Sequence, residues 1–368
     1  MVTTARSLDV AIPIARATAR AEALAIRVGS ALAALGVGAL CMWAVGYDPW
    51  LAYREMGVGA LGSWYAVEQT LVKAIPLVLT GLGVSLAFTM GLWNIGAEGQ
   101  LAVGAIAASW LALGAPGLPA WLMLPGVLVL GAAGGAVWAA LPALLRVAVG
   151  MSEIISTLML NYVGLLWVDY LVFGPWADPA AFSFPYSRRL PASAQLPLLG
   201  GAVHLGAALA LAAAAGLWLL LRHTAWGYEI RLIGTNPQAA RYRGAPVARD
   251  VVVVMAVSGA LAGLSGAGEV SGVVHRLQQG LSPGYGYAAI IIAWLAQLHP
   301  WAVVLVAVLF AALLNGGFVI QTTGVPAAIV SMLQALLLTF VLGSEYLVRR
   351  RHRRRAVAAA RAGLSGQA

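Results

Sequence analysis

Three carboxylates of this chain stand within long apolar runs: Glu98, Asp169 and Glu269. A carboxylate at membrane depth is costly unless it is paired or faces a polar cavity, so each marks either a buried contact or a polar path. Glu98 belongs to Asn94-Ile-Gly-Ala-Glu98-Gly-Gln100, a polar island between two apolar segments, where Gly91, Gly96 and Gly99 lower helix propensity. A broken helix is expected there, with exposed backbone groups that membrane depth tolerates only under protein cover or along a cavity. Glu98 then either caps the new helix start, where the dipole favours it, or meets a solute. Asp169, near the outer end of its segment, reads as interfacial. Glu269 is followed by Ser271, Gly272, His275 and Arg276, so a local ion pair explains it as well as a solute contact does. The run Ser282-Pro-Gly-Tyr-Gly-Tyr287 marks a turn before a helix start. Tyr285 and Tyr287 suit either stacking on a flat base or an aromatic belt.

Other chemistries are missing from the sequence. It has no Gly-x-x-x-x-Gly-Lys-Ser/Thr loop, and its one lysine, Lys73, sits in apolar surroundings, so ATP is not bound through a P-loop of this chain. The histidines at 204, 223, 275, 299 and 352 and the single cysteine have no metal-ligand spacing. No catalytic residue, metal or cofactor is expected, and any ATP-driven role requires a partner.

The elements that must position these residues are transmembrane helices. Of 368 residues 61% are hydrophobic and 10% charged, far below the quarter usual in soluble domains, which excludes a water-soluble globule. The 43 glycines suit close helix packing in a membrane. Apolar segments fall at about 28–47, 71–91, 98–113, 121–141, 154–173, 200–221, 251–270, 286–298, 302–320 and 326–347. The reading is an all-α, polytopic helical bundle of about ten segments with a broken or re-entrant region. Segment 286–298 is short enough either to cross or to re-enter. The first segment reads as an uncleaved helix. The net charge of +9 is a topology signal rather than a mark of nucleic-acid binding: all of the 22 basic residues except Arg54, Lys73, Arg188, Arg189 and Arg276 fall on the side of the two termini. Both termini are therefore expected in the cytoplasm. Residues 1–27 form a tail, 28–348 one transmembrane domain with a cytoplasmic loop at 222–250, and 349–368 a basic tail.

That loop contains Ile233-Gly-Thr-Asn236-Pro-Gln-Ala-Ala-Arg-Tyr-Arg-Gly244. Asn236 suits an N-cap, Pro237 the first helical position and Gly244 a C-terminal stop, with Arg241 and Arg243 complementing the dipole. The short helix so defined is either an ordinary connector or a coupling helix that docks in a partner's groove.

Four stretches in order, Asn94 to Gln100, Glu153-Ile-Ile-Ser-Thr-Leu-Met-Leu-Asn161-Tyr, Ile233 to Tyr242 and Ser282 to Tyr287, resemble the permease subunits of bacterial ABC importers. The group is the one serving branched-chain amino acids, ribose and nucleosides, nearest its guanosine-type branch. The resemblance runs from about residue 70 to 345. It implies an ATPase contact at Gly234, Asn236, Pro237, Ala239, Ala240, Arg241 and Tyr242. The substrate path is expected at Asn94, Glu98, Gln100, Asn161, Glu269, Tyr285 and Tyr287. The implied partners are an ABC ATPase, a second permease subunit of the same or a different chain, an extracytoplasmic substrate-binding protein and membrane lipid. The implied location is the bacterial inner membrane. Nucleosides are the expected cargo, with a ribose-type sugar or an ATP-independent secondary transporter as alternatives.

Overall fold

The computed structural model describes residues 3–182 and 184–365; the tail readings 1–27 and 349–368 extend at their ends into Met1, Val2 and residues 366–368, which lie outside the described residues. In chain order the helices are α1 (Thr3–Ala44), α2 (Pro49–Leu61), α3 (Trp64–Thr89), α4 (Ala97–Gly114), α5 (Ala120–Val149), α6 (Glu153–Phe173) and α7 (Gly206–His223). There follow α8 (Ala225–Thr235), α9 (Pro237–Tyr242), α10 (Val247–Gly272), α11 (Tyr285–Leu295), α12 (Pro300–Gln321) and α13 (Ala327–Ser365). A two-stranded antiparallel hairpin, β1 (Leu198–Gly200) with β2 (Val203–His204), precedes α7. It occupies residues that hydropathy alone assigns to the sixth segment, because Gly201 takes a positive φ of 56° and turns the chain.

Eight helices among the described residues are long and apolar enough to span a bilayer, and the protein is a polytopic helical membrane protein. The other two apolar segments of the sequence are α4 and α11. Two compact units are present, residues 55–319 and residues 1–54 with 320–368. In the smaller, α1 and α13 pack together, with Leu333 seated over Gly38 and the Tyr53 hydroxyl donating to the Leu35 carbonyl at 2.6 Å.

Within the larger unit α3 is buried along most of its length and α10 along more than half, while α5, α6 and α7 each bury one face. The reason is visible on α5. Met123, Val127, Gly131, Gly135 and Ala139 recur every fourth residue, and this stripe is the buried one. Gly131 and Gly135 lie against Gly259 and Gly263 of α10, and Gly104 of α4 meets Gly263, so closely that a Cβ on any of them would collide with the opposing helix. Where lipid tails are as apolar as leucine, such backbone approach supplies dispersion contact that burial of large side chains would not.

The segment 273–295 runs from one end of this unit to the other. At its start the Ser187 amide donates to the Leu277 carbonyl at 2.8 Å, on the loop after α6. At its finish Trp294 packs on Phe88 and Trp93, where α3 ends. Only the second half is helical: the 11 residues of α11 rise about 16 Å, half of the roughly 30 Å hydrocarbon layer.

Candidate functional site

The island at residues 94–100 is a break between α3 and α4, closed by side-chain amides. Asn94 is fully buried and trades hydrogen bonds with Gln100, Nδ2 to Oε1 and Nε2 to Oδ1, each 2.9 Å. Its Oδ1 also accepts from the Gly96 amide at 3.0 Å, and its Nδ2 donates to the Ser258 hydroxyl at 2.8 Å. Ser258, on α10, donates in turn to the Gly83 carbonyl at 2.7 Å. Asn161 of α6 serves the same break from the other side. It accepts from the Gly99 amide at 2.8 Å and donates to the Ile95 carbonyl at 2.8 Å. Backbone groups freed by the break are thus satisfied inside the protein, as a dry environment demands. Ser258 was not singled out from sequence, because a lone serine in an apolar helix carries no sign of its partner.

Glu98, in the first turn of α4, is 2% exposed. Its Oε2 accepts from the Gly286 amide at 2.6 Å, and the Ser282 hydroxyl and Gly284 amide also face it. The carboxylate therefore caps the start of α11 from across the bundle while lying at the start of α4. Two helix dipoles point their positive ends at one charge. Gly286 permits this, since a Cβ there would strike the backbone of Ala97 and Glu98. The Ser282 hydroxyl additionally accepts from the Gly284 and Tyr285 amides, at 3.2 and 2.9 Å, which makes the Ser-Pro-Gly-Tyr turn a second cap.

The two tyrosines part company. Tyr285 is 6% exposed and near both Glu98 and Glu269, so its faces are covered. Tyr287 is 38% exposed and its hydroxyl lies 3.5 Å from Asn161 Nδ2. Glu269 is buried on α10, with Lys73 of α3 as its nearby cation. Lys73 also stands over the Phe318 ring at 5.0 Å. Arg276, close to Glu269 in sequence, turns instead to the Tyr186 ring at 4.6 Å. Asp169 is half-buried on α6.

The second constellation is α9. Asn236 Oδ1 accepts from the Gln238 and Ala239 amides, both at 3.1 Å, Pro237 opens the helix, and Gly244 closes it at φ 84°. Ala240 is fully buried and Tyr242 is 95% exposed. Gly234, at the end of α8, presses on the Thr89 carbonyl, so the helix joins the bundle where α3 stops. A cleft of about 490 Å³ lies between them, lined in part by Gly91, Arg146, Gly234, Pro237 and Arg241. Arg146 pairs there with Glu153 at the start of α6, and Glu153 accepts from the Trp93 amide at 3.3 Å. The capped helix thus shares one mouth with the α3–α4 break.

Residues 66–342 match the family described as branched-chain amino acid transport system, permease component. The chain is 38% identical over 333 residues to the glucose ABC transporter permease protein of Haloferax volcanii, across 87% of each chain. It is 32% identical over 327 residues to the guanosine ABC transporter permease protein of Bacillus subtilis, across 86% of this chain and 91% of that one. To the nucleoside ABC transporter permease protein of Lactococcus lactis it is 30% identical over 315 residues, across 83% and 86%.

Proposed function

The chain belongs to the family of branched-chain amino acid transport system permease components, and on that premise we propose that it is the permease half of an ATP-driven importer for nucleosides. What carries this reading is the joining of two features at one end of the bundle: the helix break held by Asn94, Gln100 and Asn161, and the capped helix α9 with its exposed Tyr242. The second feature suits a site for an ABC ATPase, whose motion would be passed through α8 to the end of α3 and so to the break. Gly234, Asn236, Pro237, Ala239, Ala240, Arg241 and Tyr242 make that contact. ATP is hydrolysed by the partner and no bond is made or broken by this chain.

Within the pathway, Asn94, Glu98, Gln100, Asn161, Glu269 and Tyr285 are buried and hold the half-helices in place, while Tyr287, partly exposed beside Asn161, presents its ring and hydroxyl toward the solute. Tyr287 offers a ring for a flat base. A second permease subunit completes the pore, an extracytoplasmic binding protein delivers the cargo, and the assembly sits in the inner membrane with both termini in the cytoplasm. The resemblance to a glucose permease supports a sugar as second reading, since a nucleoside and a sugar share a polyhydroxylated ring. A thermal-shift screen of the solubilised assembly against nucleosides and simple sugars tests the choice, because a selective ligand raises the melting temperature by mass action. Stabilisation by guanosine or adenosine but not by glucose or ribose is expected; the reverse would replace the nucleoside reading.

A further inference from the structure

A second polar cleft of about 480 Å³ lies between α7, α8 and the turn joining α11 to α12. Its walls include Arg222 and Arg231, with His299, Thr235, Trp218 and Leu221. Arg222 is in the last turn of α7, a span that buries little of its surface in the bundle and so stands at its periphery. The guanidinium lies over the Trp218 ring at 5.8 Å, one turn deeper into the span, and His223 meets the same ring edge-on at 5.2 Å. Arg231 and Thr235, four residues apart on α8, share one face of that helix. Among the described residues no acid lines the cleft. Glu229 is two positions from Arg231 and therefore on the far side of α8. The turn that forms the third wall holds two consecutive non-glycine residues in the left-handed region, Gln297 at φ 53° and Leu298 at φ 59°. Such backbone is unfavourable for side-chain-bearing residues and persists where surroundings impose it, often at ligand sites.

Cations of one sign, a tryptophan at the end of a peripheral span and an apolar wall of Trp218, Leu221 and Leu298 form one amphipathic socket. We propose that this cleft binds the phosphate of an anionic phospholipid from the adjoining leaflet. Arg222 and Arg231 take the phosphodiester oxygens, for which the guanidinium fork is shaped, while the Thr235 hydroxyl is spent on the Arg231 carbonyl at 2.8 Å. The Trp218 and Leu221 wall receives the upper part of an acyl chain. Basic pockets between membrane helices are the expected seats of such headgroups, and the charges here have no competing carboxylate. The site is distinct from the helix break and adjoins α9 through Thr235, the residue before the Asn236 cap, and the proposal does not depend on which solute the pathway carries.

The test is native mass spectrometry of the detergent-solubilised protein titrated with dioleoyl phosphatidylglycerol, dioleoyl phosphatidylcholine or inorganic phosphate. Preferential retention of phosphatidylglycerol is expected, reduced roughly tenfold to thirtyfold in affinity in the Arg222→Gln/Arg231→Gln double variant. An Arg188→Gln/Arg189→Gln control, on the loop after α6, retains it, and Arg222→Lys/Arg231→Lys keeps part of it through charge alone. Thermal melting of each variant in lipid-free detergent separates loss of binding from loss of fold. Equal binding of both lipids, or an undiminished affinity in the glutamine variant, would overturn the site. Protection by inorganic phosphate equal to that of phosphatidylglycerol would make it a soluble-anion site instead and overturn the lipid. So would unchanged lipid binding with weakened ATPase association, which would assign the arginines to a protein partner.

Discussion

Replacement of Glu98 by glutamine separates a helix clasp from a solute ligand. In the structure the carboxylate is 2% exposed and faces three donors from the start of α11, the Gly286 amide at 2.6 Å, the Gly284 amide and the Ser282 hydroxyl. Glutamine keeps one acceptor and the size of the side chain but loses the charge. Hydrogen bonds to a charged group are worth about 1.5 to 3 kcal/mol against about 1 for neutral ones, and the dipole of a helix start adds about 0.3 to 1 kcal/mol. The expected destabilisation is therefore about 1 to 3 kcal/mol. Glu98→Ala leaves the three donors without an acceptor and should cost more. Both are measured by thermal unfolding of the purified protein and by uptake in reconstituted vesicles across a solute concentration series. A clasp predicts a lower melting temperature and a lower maximal rate, from a smaller share of molecules with α11 seated, at unchanged half-saturation. A raised half-saturation constant with unchanged melting temperature would refute the clasp and make Glu98 a solute ligand.

Ala240→Pro removes the amide that bonds the Asn236 carbonyl at 3.2 Å and costs about 3 kcal/mol within α9, so ATPase association and uptake should fail while membrane insertion stays normal; retained association on pull-down would reject the coupling role. Burial, with a smaller contribution from His275, lowers the His204 imidazole from its usual 6.5 to about 4. Between those values the unfolded chain carries a proton that the folded one does not, so stability falls as pH drops from 6.5 toward 4. His204→Gln should flatten that part of a melting-temperature against pH curve, and an unchanged slope would place the sensitivity elsewhere. The loss has a geometric cause, since Nδ1 accepts from the Gly206 amide at 3.1 Å and becomes a donor on protonation. A reporter enzyme fused after Arg355 should be active only in the cytoplasm and one inserted near Ala192 only outside; reversed signals would invert the proposed orientation.

The long apolar helices, and several of the places where they stop, were legible along the chain because their causes are local, whereas the shorter α2 and α8 and the hairpin before α7 were not. Asn236, Pro237 and Gly244 delimit α9 by backbone chemistry that acts within a few residues, and α9 runs between them. Gly91 and the Asn94 to Gln100 island announce the break between α3 and α4 in the same way. The family resemblance was legible too, since residues 66–342 carry it. Partners across the bundle were not. That Gly286 rather than a solute faces Glu98 depends on α11 arriving from 188 residues away. That Ser258 closes the Asn94 network depends on the glycine seam letting α10 approach α4 and α5. Tyr285 and Tyr287 look alike in sequence, yet one is buried beside Glu98 and the other is partly open beside Asn161, because two positions on a helix face different ways. Composition and caps determine which residues form helices in a membrane; which polar groups meet is decided by contacts between segments distant in the chain, and only packing brings those together.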